Sequence, residues 1–143
     1  MNSDEPDIRE KGKAAWIETA QKYGPYFEEI KKKLPKNFMK TFEKSSWFHD
    51  FVFSSINLTN MGKYMSIVEF QISHVEESYK ITFSGVNKIA INIPTTQNWL
   101  CGNLTWGYTE FELNDDNSWS IRVLCDLDCE ISLNFRRIAI VKT

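Results

Sequence analysis

His49 and Asp50 are the neighbouring residues whose side chains are best suited to metal-dependent chemistry. Each divalent ion in such a site needs several nitrogen or oxygen ligands. The sequence contains one further histidine, His74, and the His49-Asp50 pair precedes a strand pattern instead of lying on a helix. We therefore predict no metal site, and we interpret the pair as a structural junction whose side chains hydrogen-bond backbone groups between helix and strand.

The junction interpretation has a measurable consequence. If Asp50 bonds a buried partner, its replacement by Ala should lower the free energy of unfolding by roughly 1–3 kcal/mol. Adjacent strand residues point to opposite faces of a sheet, so the side chains of His49 and Asp50 need not share a site. A recognition role at the protein surface is the alternative to the structural one.

The remaining reactive residue types do not form a catalytic pattern. Cys125 and Cys129 are four residues apart, with Cys101 elsewhere, whereas a structural zinc ion usually takes four ligands in closely spaced pairs. We expect these thiols in the core or on an edge strand. No serine lies in a nucleophile elbow, and the six glycines are scattered instead of forming a phosphate-binding loop. The sequence therefore predicts no catalytic residues and no cofactor, and it favours a protein that is not an enzyme.

The segment from Glu110 to Glu130 is strongly acidic, with seven acidic residues against one basic residue, Arg122. Such a surface favours a basic partner, because complementary charge speeds association and suppresses wrong partners. Solvated turns at 114–117 and 126–128, at opposite ends of neighbouring strands, are the default interpretation, and an acidic surface for a basic partner is the sharper hypothesis. The candidate binding residues are Trp106, Tyr108, Glu110, Glu112, Asp115 and Asp116, and Trp106, Tyr108 and Trp119 would be aromatic anchors wherever they face outward.

Lysines are concentrated between Lys31 and Lys44, where six of them are offset in part by Glu28, Glu29 and Glu43. A solvated helix face is the favoured interpretation. A contact with phosphate groups is the alternative, although no aromatic residue for base stacking is clearly interleaved with the lysines. Because the net charge of the chain is −2, nucleic acid is disfavoured as a partner.

Length and composition predict one domain covering 1–143, because 42% of its 143 residues are hydrophobic and can form a substantial core. Within it we expect a flexible tail at 1–6, a helical part at 7–44 and a β-rich part at 47–143. No apolar run approaches the roughly 20 residues of a membrane span, and the N-terminal residues lack a signal-peptide core. We expect a cytoplasmic protein with no membrane contact.

The helical part is defined by apolar residues that recur every three or four positions from Trp16 to Leu34. Gly24-Pro25 is expected to end one helix and begin the next, and Pro35 precedes a third. The expected helices cover about 7–23, 25–33 and 36–44. In the third, the residues expected to face inward are Phe38, Met39 and Phe42.

After Ser46 most apolar runs alternate with period two, and turn residues separate seven or eight of them. Gly85 is expected to mark a bulge or tight bend, and the long run that ends at Leu113 is expected to bend at Gly102 or Gly107. We predict an α+β fold. Two or three N-terminal helices pack on a mostly antiparallel, curved sheet, sandwich or open barrel of seven to eight strands.

The order of these features resembles a group of small, uncharacterised bacterial domains with an HD-initiated first strand. The resemblance covers about residues 23 to 142. The residues that carry it are Tyr23, Tyr26, Leu34-Pro35, His49-Asp50, the segment 81–86 (ITFSGV), the strand at Trp99, Tyr108-Thr109-Glu110 and Leu133-Asn134-Phe135. Proteins of this kind look like immunity proteins, so the resemblance implies a cognate protein toxin as the partner.

The sequence therefore favours a non-enzymatic protein–protein interaction module that binds and neutralises a bacterial toxin. The alternative is a small enzyme or ligand-binding protein with an aromatic pocket between the helices and the sheet. A third hypothesis is nucleic-acid binding through the Lys31–Lys44 helices. The sequence does not define an oligomeric state.

Overall fold

The computed structural model describes residues 23–60, 66–93 and 104–143. In these ranges helix α1 covers 23–30 and helix α2 covers Lys36–Lys44. The strands are β1 (Val52–Asn60), β2 (Ser66–His74), β3 (Glu77–Ser84), β4 (Lys88–Asn92), β5 (Trp106–Leu113), β6 (Trp119–Cys125), β7 (Glu130–Phe135) and β8 (Arg137–Lys142). The expected tail at 1–6 and all but the last residue of the expected helix at 7–23 lie outside the described residues.

Helix α2 forms where the spacing of apolar residues predicts it, and Phe38, Met39 and Phe42 are its buried residues. The expected helix end at Gly24 is wrong, because Tyr23, Gly24 and Pro25 all lie within α1. A helical glycine costs about 1 kcal/mol. Burial of the α1 side chain Phe27, which is 2% exposed, outweighs that cost by removing a large apolar surface from water.

The strands form two four-stranded sheets, with the orders β1-β2-β3-β8 and β4-β7-β6-β5. We call them sheet A and sheet B. Every pairing within them is antiparallel, which confirms the α+β class and the expected antiparallel arrangement. In the described ranges the sheets do not close into one barrel, and the single sandwich or open barrel that the sequence allowed is not confirmed.

A sharp corner at Gly85 and Arg136 joins sheet A to sheet B. The β3 and β8 strands pair up to Ser84 and Arg137, and the pairing resumes between β4 and β7 at Lys88 and Asn134. Gly85 has a φ of +65°, and a Cβ placed there would lie 3.0 Å from the Cβ of Arg136. Glycine therefore allows the two-stranded ribbon to bend, as the sequence predicts.

A second junction brings the start of β1 to the residues that precede β5. Val52 and Thr105 form an antiparallel bridge, and the N–H of Asp50 donates to the carbonyl oxygen of Trp106 at 2.9 Å. The N–H of Trp106 in turn donates to the carbonyl oxygen of Phe51 at 2.8 Å. These bonds fix the helix-to-strand segment against sheet B.

The inner faces of both sheets and the inner faces of the helices share one hydrophobic core. Phe53 of sheet A stacks on Trp106 of sheet B with ring centroids 5.3 Å apart, and Phe83 of sheet A contacts Phe135 of sheet B at 5.0 Å. Such aromatic pairs contribute area burial together with a favourable ring geometry. The core leaves the outer face of each sheet available for polar residues.

Helix α1 lies along the free edge of β5. The N–H of Phe111 donates to the hydroxyl oxygen of Tyr23 at 2.5 Å, and the N–H of Leu113 donates to the hydroxyl oxygen of Tyr26 at 2.9 Å. Burial raises the pKa of Tyr23, so this hydroxyl stays protonated at neutral pH. Both donors point away from β6, so the helix satisfies backbone groups that the sheet leaves unpaired.

Candidate functional site

The side-chain directions of β5 are set by a bulge at Gly107. The register with β6 shifts between Trp106 and Tyr108, and a Cβ on Gly107 would lie 2.6 Å from the carbonyl oxygen of Leu124. Because the bulge adds one residue, the alternation changes phase after Gly107. The buried residues are Trp106, Thr109 and Phe111, and the outward residues are Tyr108, Glu110 and Glu112.

Trp106 is therefore not a surface anchor, which corrects its place among the candidate binding residues. Its side chain is 1% exposed, and its indole Nε1–H donates to the hydroxyl oxygen of Thr109 at 2.6 Å. Trp119 is also buried, at 6% exposure. Among the three candidate aromatic anchors, Tyr108 alone lies on the outward face of its strand.

Glu110 faces Arg122 across the β5–β6 pair, and Arg122 lies between two acids. The Arg122 guanidinium is 2.9 Å from Glu130 and 4.0 Å from Glu110. Glu112 is exposed and forms no ion pair with the described residues. Arg122 thus pairs with two residues of the acidic segment, Glu110 and Glu130, whereas Glu112 remains available to a partner.

These groups border a depression of about 340 Å³ on the outer face of sheet B, beside α1. We call it the sheet B surface. Its lining includes Tyr23, Tyr26, Glu110, Glu112 and Arg122, together with Ser120, Ser132 and Asn134. Burial raises the pKa of Tyr108, and the nearby Glu110 carboxylate raises it further. Tyr108 and Glu110 are neighbours on the outward face of β5.

Several of these lining residues escaped the sequence prediction. Ser120, Ser132 and Asn134 are outward positions of β6 and β7 that become neighbours only through the strand register. The Ser120 hydroxyl donates to Asn134 Oδ1 at 2.8 Å. The alternation of polar residues along each strand is the sequence signal for an outward face, but it does not specify which strands are adjacent.

Asp115 and Asp116 lie in the β5–β6 turn, at one end of the acidic strands. Asp116 Oδ1 accepts hydrogen bonds from the backbone N–H of Ser118 at 3.0 Å and from its hydroxyl at 2.5 Å, and these bonds hold the pKa of Asp116 below its usual range. Asp116 also lies 3.6 Å from Arg136. The 126–128 turn lies at the opposite end of β6, so the acids are distributed along the sheet as the sequence predicts.

His49 and Asp50 lie at the junction, but their side chains form none of the expected hydrogen bonds to backbone groups of the described residues. Both side chains are about two-thirds exposed, at 64% and 67%, and they contact each other, with His49 Nδ1 3.0 Å from Asp50 Oδ1. The two side chains therefore lie together on the protein surface. The structural bond at this position comes from the Asp50 backbone, which donates to Trp106.

The chain around this pair has an unusual backbone. Ser46, Trp47 and Phe48 have consecutive positive φ angles of 54°, 59° and 60°, and Asp50 has a φ of 71°. Residues other than Gly, Asn and Asp rarely adopt this conformation. The burial of Phe48, which is 0% exposed, helps to hold the segment in this form. Two backbone hydrogen bonds also hold it, from the N–H of Asp50 to the carbonyl oxygen of Trp106 and from the N–H of Trp106 to the carbonyl oxygen of Phe51.

The left-handed segment borders a second depression, of about 420 Å³, which both histidines line. Val75, at the tip of the β2–β3 hairpin, also lines it, with a φ of 53° and 90% exposure. The described residues form no group of three or more His, Cys, Asp or Glu side chains arranged to hold a metal ion.

The geometry changes the expected effect of replacing Asp50. Because the Asp50 side chain is exposed, Asp50→Ala should cost only about 1 kcal/mol, and that cost comes from placing alanine at positive φ. Asp50→Asn removes the charge but tolerates the backbone, so its free energy of unfolding should stay within about 0.5 kcal/mol of the parent. Urea unfolding of both variants tests this, and equal losses above 1 kcal/mol would show that the carboxylate itself stabilises the fold.

Cys125 and Cys129 are buried residues that flank the three-residue turn Asp126–Asp128. Asp128 adopts a positive φ of 58°, as the last residue of such hairpin turns commonly does. Burial, followed by the neighbouring Cys129, raises the pKa of Cys125 to about 12. Cys125 is therefore not an activated nucleophile, in agreement with the core position expected from the sequence.

Aromatic side chains fill the space between the helices and β5. Phe27 of α1 and Phe42 of α2 both contact Phe111, with ring centroids 6.0 and 5.7 Å apart. The ring of Trp47 stacks on the ring of Phe42, with the centroids 5.1 Å apart. This packing attaches both helices to β5 through one aromatic cluster.

Comparison with known protein families assigns the chain to one family. A family model described as a protein of unknown function, DUF4085, matches residues 9–131, which include both helices, β1 to β6 and the start of β7. The chain therefore belongs to the DUF4085 family. No curated protein matches it. In the part of the chain that the structure describes, no helix is long and apolar enough to cross a membrane.

Proposed function

We propose that this protein is a non-enzymatic binding module that uses the sheet B surface to contact a basic protein. The supporting observation is the arrangement of Glu110, Glu112 and Arg122 on one outward face, beside the hydroxyl groups of Tyr23 and Tyr26. Carboxylates at a recognition surface accept hydrogen bonds from Arg and Lys side chains, and tyrosine contributes rigid contact area at a low entropic cost.

The partner that fits best is a toxin whose basic active surface is covered when the two proteins associate. An immunity protein acts in this way by occlusion, and it needs no catalytic residues. Acidic side chains increase the association rate with such a partner, because long-range attraction steers the encounter. Arg122 keeps Glu110 and Glu130 in place, and Glu112 meets the partner without an internal competitor.

The decisive experiment begins with the gene next to the one that encodes this chain, because a toxin and its immunity protein must be inherited together. The product of that gene should inhibit growth when expressed alone, and coexpression of this chain should restore growth. The purified pair should form a complex whose association rate decreases as salt is added. A neighbouring product that is harmless, or that does not bind this chain, would contradict the proposal.

Charge reversal locates the contact surface. The double variant Glu110→Lys and Glu112→Lys should weaken the complex tenfold or more, because two attractive contacts become repulsive. The matched control is Glu69→Lys with Glu77→Lys, which makes the same change in net charge on sheet A. Equal weakening by the two double variants, measured by surface plasmon resonance, would show a general charge effect instead of a specific surface.

A further inference from the structure

Helix α2 carries a row of lysines on its exposed side. Lys36, Lys40 and Lys44 are exposed and follow one another at intervals of four residues, so they lie next to each other along the helix. Like charges at this spacing destabilise a helix, and a lysine in the first turn also opposes the helix dipole. The row is therefore unfavourable for the helix itself.

The acidic residue of α2 does not offset this row. The Glu43 carboxylate lies 3.4 Å from Lys31, which also pairs with Glu28 at 2.8 Å. None of the ion pairs within 23–60, 66–93 and 104–143 includes Lys40, Lys44 or Lys142. Three ammonium groups are thus left without an internal counterion in the described protein.

These three lysines meet at one depression of about 260 Å³ between α2 and the end of β8. Lys142 is directly opposite Tyr79 in the β3–β8 register, so both residues belong to the sheet face that α2 covers. The lining residues are Asn37, Lys40, Thr41, Lys44, Tyr79, Ile140 and Lys142. No acidic residue is among them.

Tyr79 contributes a neutral hydrogen-bond donor to the depression. Its side chain is 6% exposed and packs between aromatic rings, with Phe51 6.1 Å and Phe48 6.0 Å away. Tyr79 nevertheless lines the depression, and its hydroxyl is the polar atom of its side chain. A hydroxyl that lines a basic depression is suited to donate a hydrogen bond to a bound anion.

We propose that the depression formed by Lys40, Lys44, Lys142 and Tyr79 binds an oxoanion of the phosphate class. The three ammonium groups supply charge, and the Tyr79 hydroxyl and the Asn37 amide supply neutral donors. A phosphoryl group offers several acceptor oxygens and up to two negative charges, so it can use all of these donors, whereas a carboxylate has two oxygens. This site is separate from the sheet B surface and does not depend on its function.

Titration with inorganic pyrophosphate at constant ionic strength tests the site. Calorimetry should show saturable binding to the parent chain, and the triple variant Lys40→Gln, Lys44→Gln and Lys142→Gln should bind at least tenfold more weakly. The matched control is Lys32→Gln, Lys80→Gln and Lys88→Gln, which should bind within twofold of the parent. Absence of saturable binding to the parent, or equal weakening in both triple variants, would overturn the proposal.

Two further measurements keep the test independent of folding and identify the source of the phosphate. Tyr79→Phe should retain the fold by circular dichroism yet weaken pyrophosphate binding, and an unchanged affinity would exclude the hydroxyl from the site. A nucleoside triphosphate and a single-stranded oligonucleotide are then tested as competitors. Displacement of pyrophosphate by the triphosphate alone supports a small phosphorylated ligand, and displacement by both supports a nucleic-acid backbone.

Discussion

Replacing Trp106 by Ala is expected to lower the free energy of unfolding by about 3–5 kcal/mol, as truncation of a buried large aromatic residue does. The indole lies against Phe48, Phe53 and Phe70, with ring centroids between 5.3 and 6.1 Å away. Its removal also leaves the hydroxyl oxygen of Thr109 without the indole N–H that donates to it, and Thr109 is only 1% exposed. Equilibrium unfolding in urea, followed by far-ultraviolet circular dichroism, measures the loss.

Two variants separate the parts of this effect. Trp106→Phe keeps most of the packing but loses the Nε1–H bond, so it should cost about 1–3 kcal/mol. Tyr108→Ala, on the outward face of the same strand, should cost less than Trp106→Ala because its side chain is only partly buried. If Trp106→Ala left stability unchanged and abolished partner binding, the indole would be a recognition residue after all.

Phe42→Ala is expected to lower the free energy of unfolding by a similar amount, about 3–5 kcal/mol. Phe42 is 0% exposed and its ring contacts residues of α1, α2, the left-handed segment and β5. The rings involved are Phe27, Phe38, Trp47, Phe48 and Phe111. Because a small domain is stable by only about 5–15 kcal/mol, this single change would remove a large share of the stability.

The control for this prediction is on the same helix. Lys36→Ala changes an exposed residue and should shift the free energy of unfolding by less than about 0.5 kcal/mol. Phe42→Leu keeps an apolar side chain and should lie between the two variants. A loss below 1 kcal/mol for Phe42→Ala would mean that α2 is not docked on β5 in solution.

The sequence predicts those parts of the fold that depend on local periodicity. Phe38, Met39 and Phe42 recur at helical spacing, and Val68, Phe70 and Ile72 recur at strand spacing, so their buried faces follow directly. Gly85 at the corner is also predictable, because a sharp bend with positive φ favours glycine. These features need no knowledge of distant residues.

The position of Trp106 is not predictable in the same way. Simple alternation places Trp106 and Tyr108 on one face, but the bulge at Gly107 shifts the phase so that Trp106 and Thr109 point inward together. The left-handed turn at Ser46–Phe48 contains no glycine that would signal it. Both features arise from tertiary contacts, and therefore the arrangement of His49, Asp50 and the sheet B surface required the structure.

The hydroxyl bonds from α1 to β5 have a consequence for the behaviour of the protein at high concentration. Exposed strand edges pair with other chains and start aggregates, and natural proteins protect such edges. Tyr23 and Tyr26 occupy two edge donors of β5, so another chain cannot add a strand there while α1 is attached. Detachment of this one helix would expose both donors and make the edge of β5 a template for self-association.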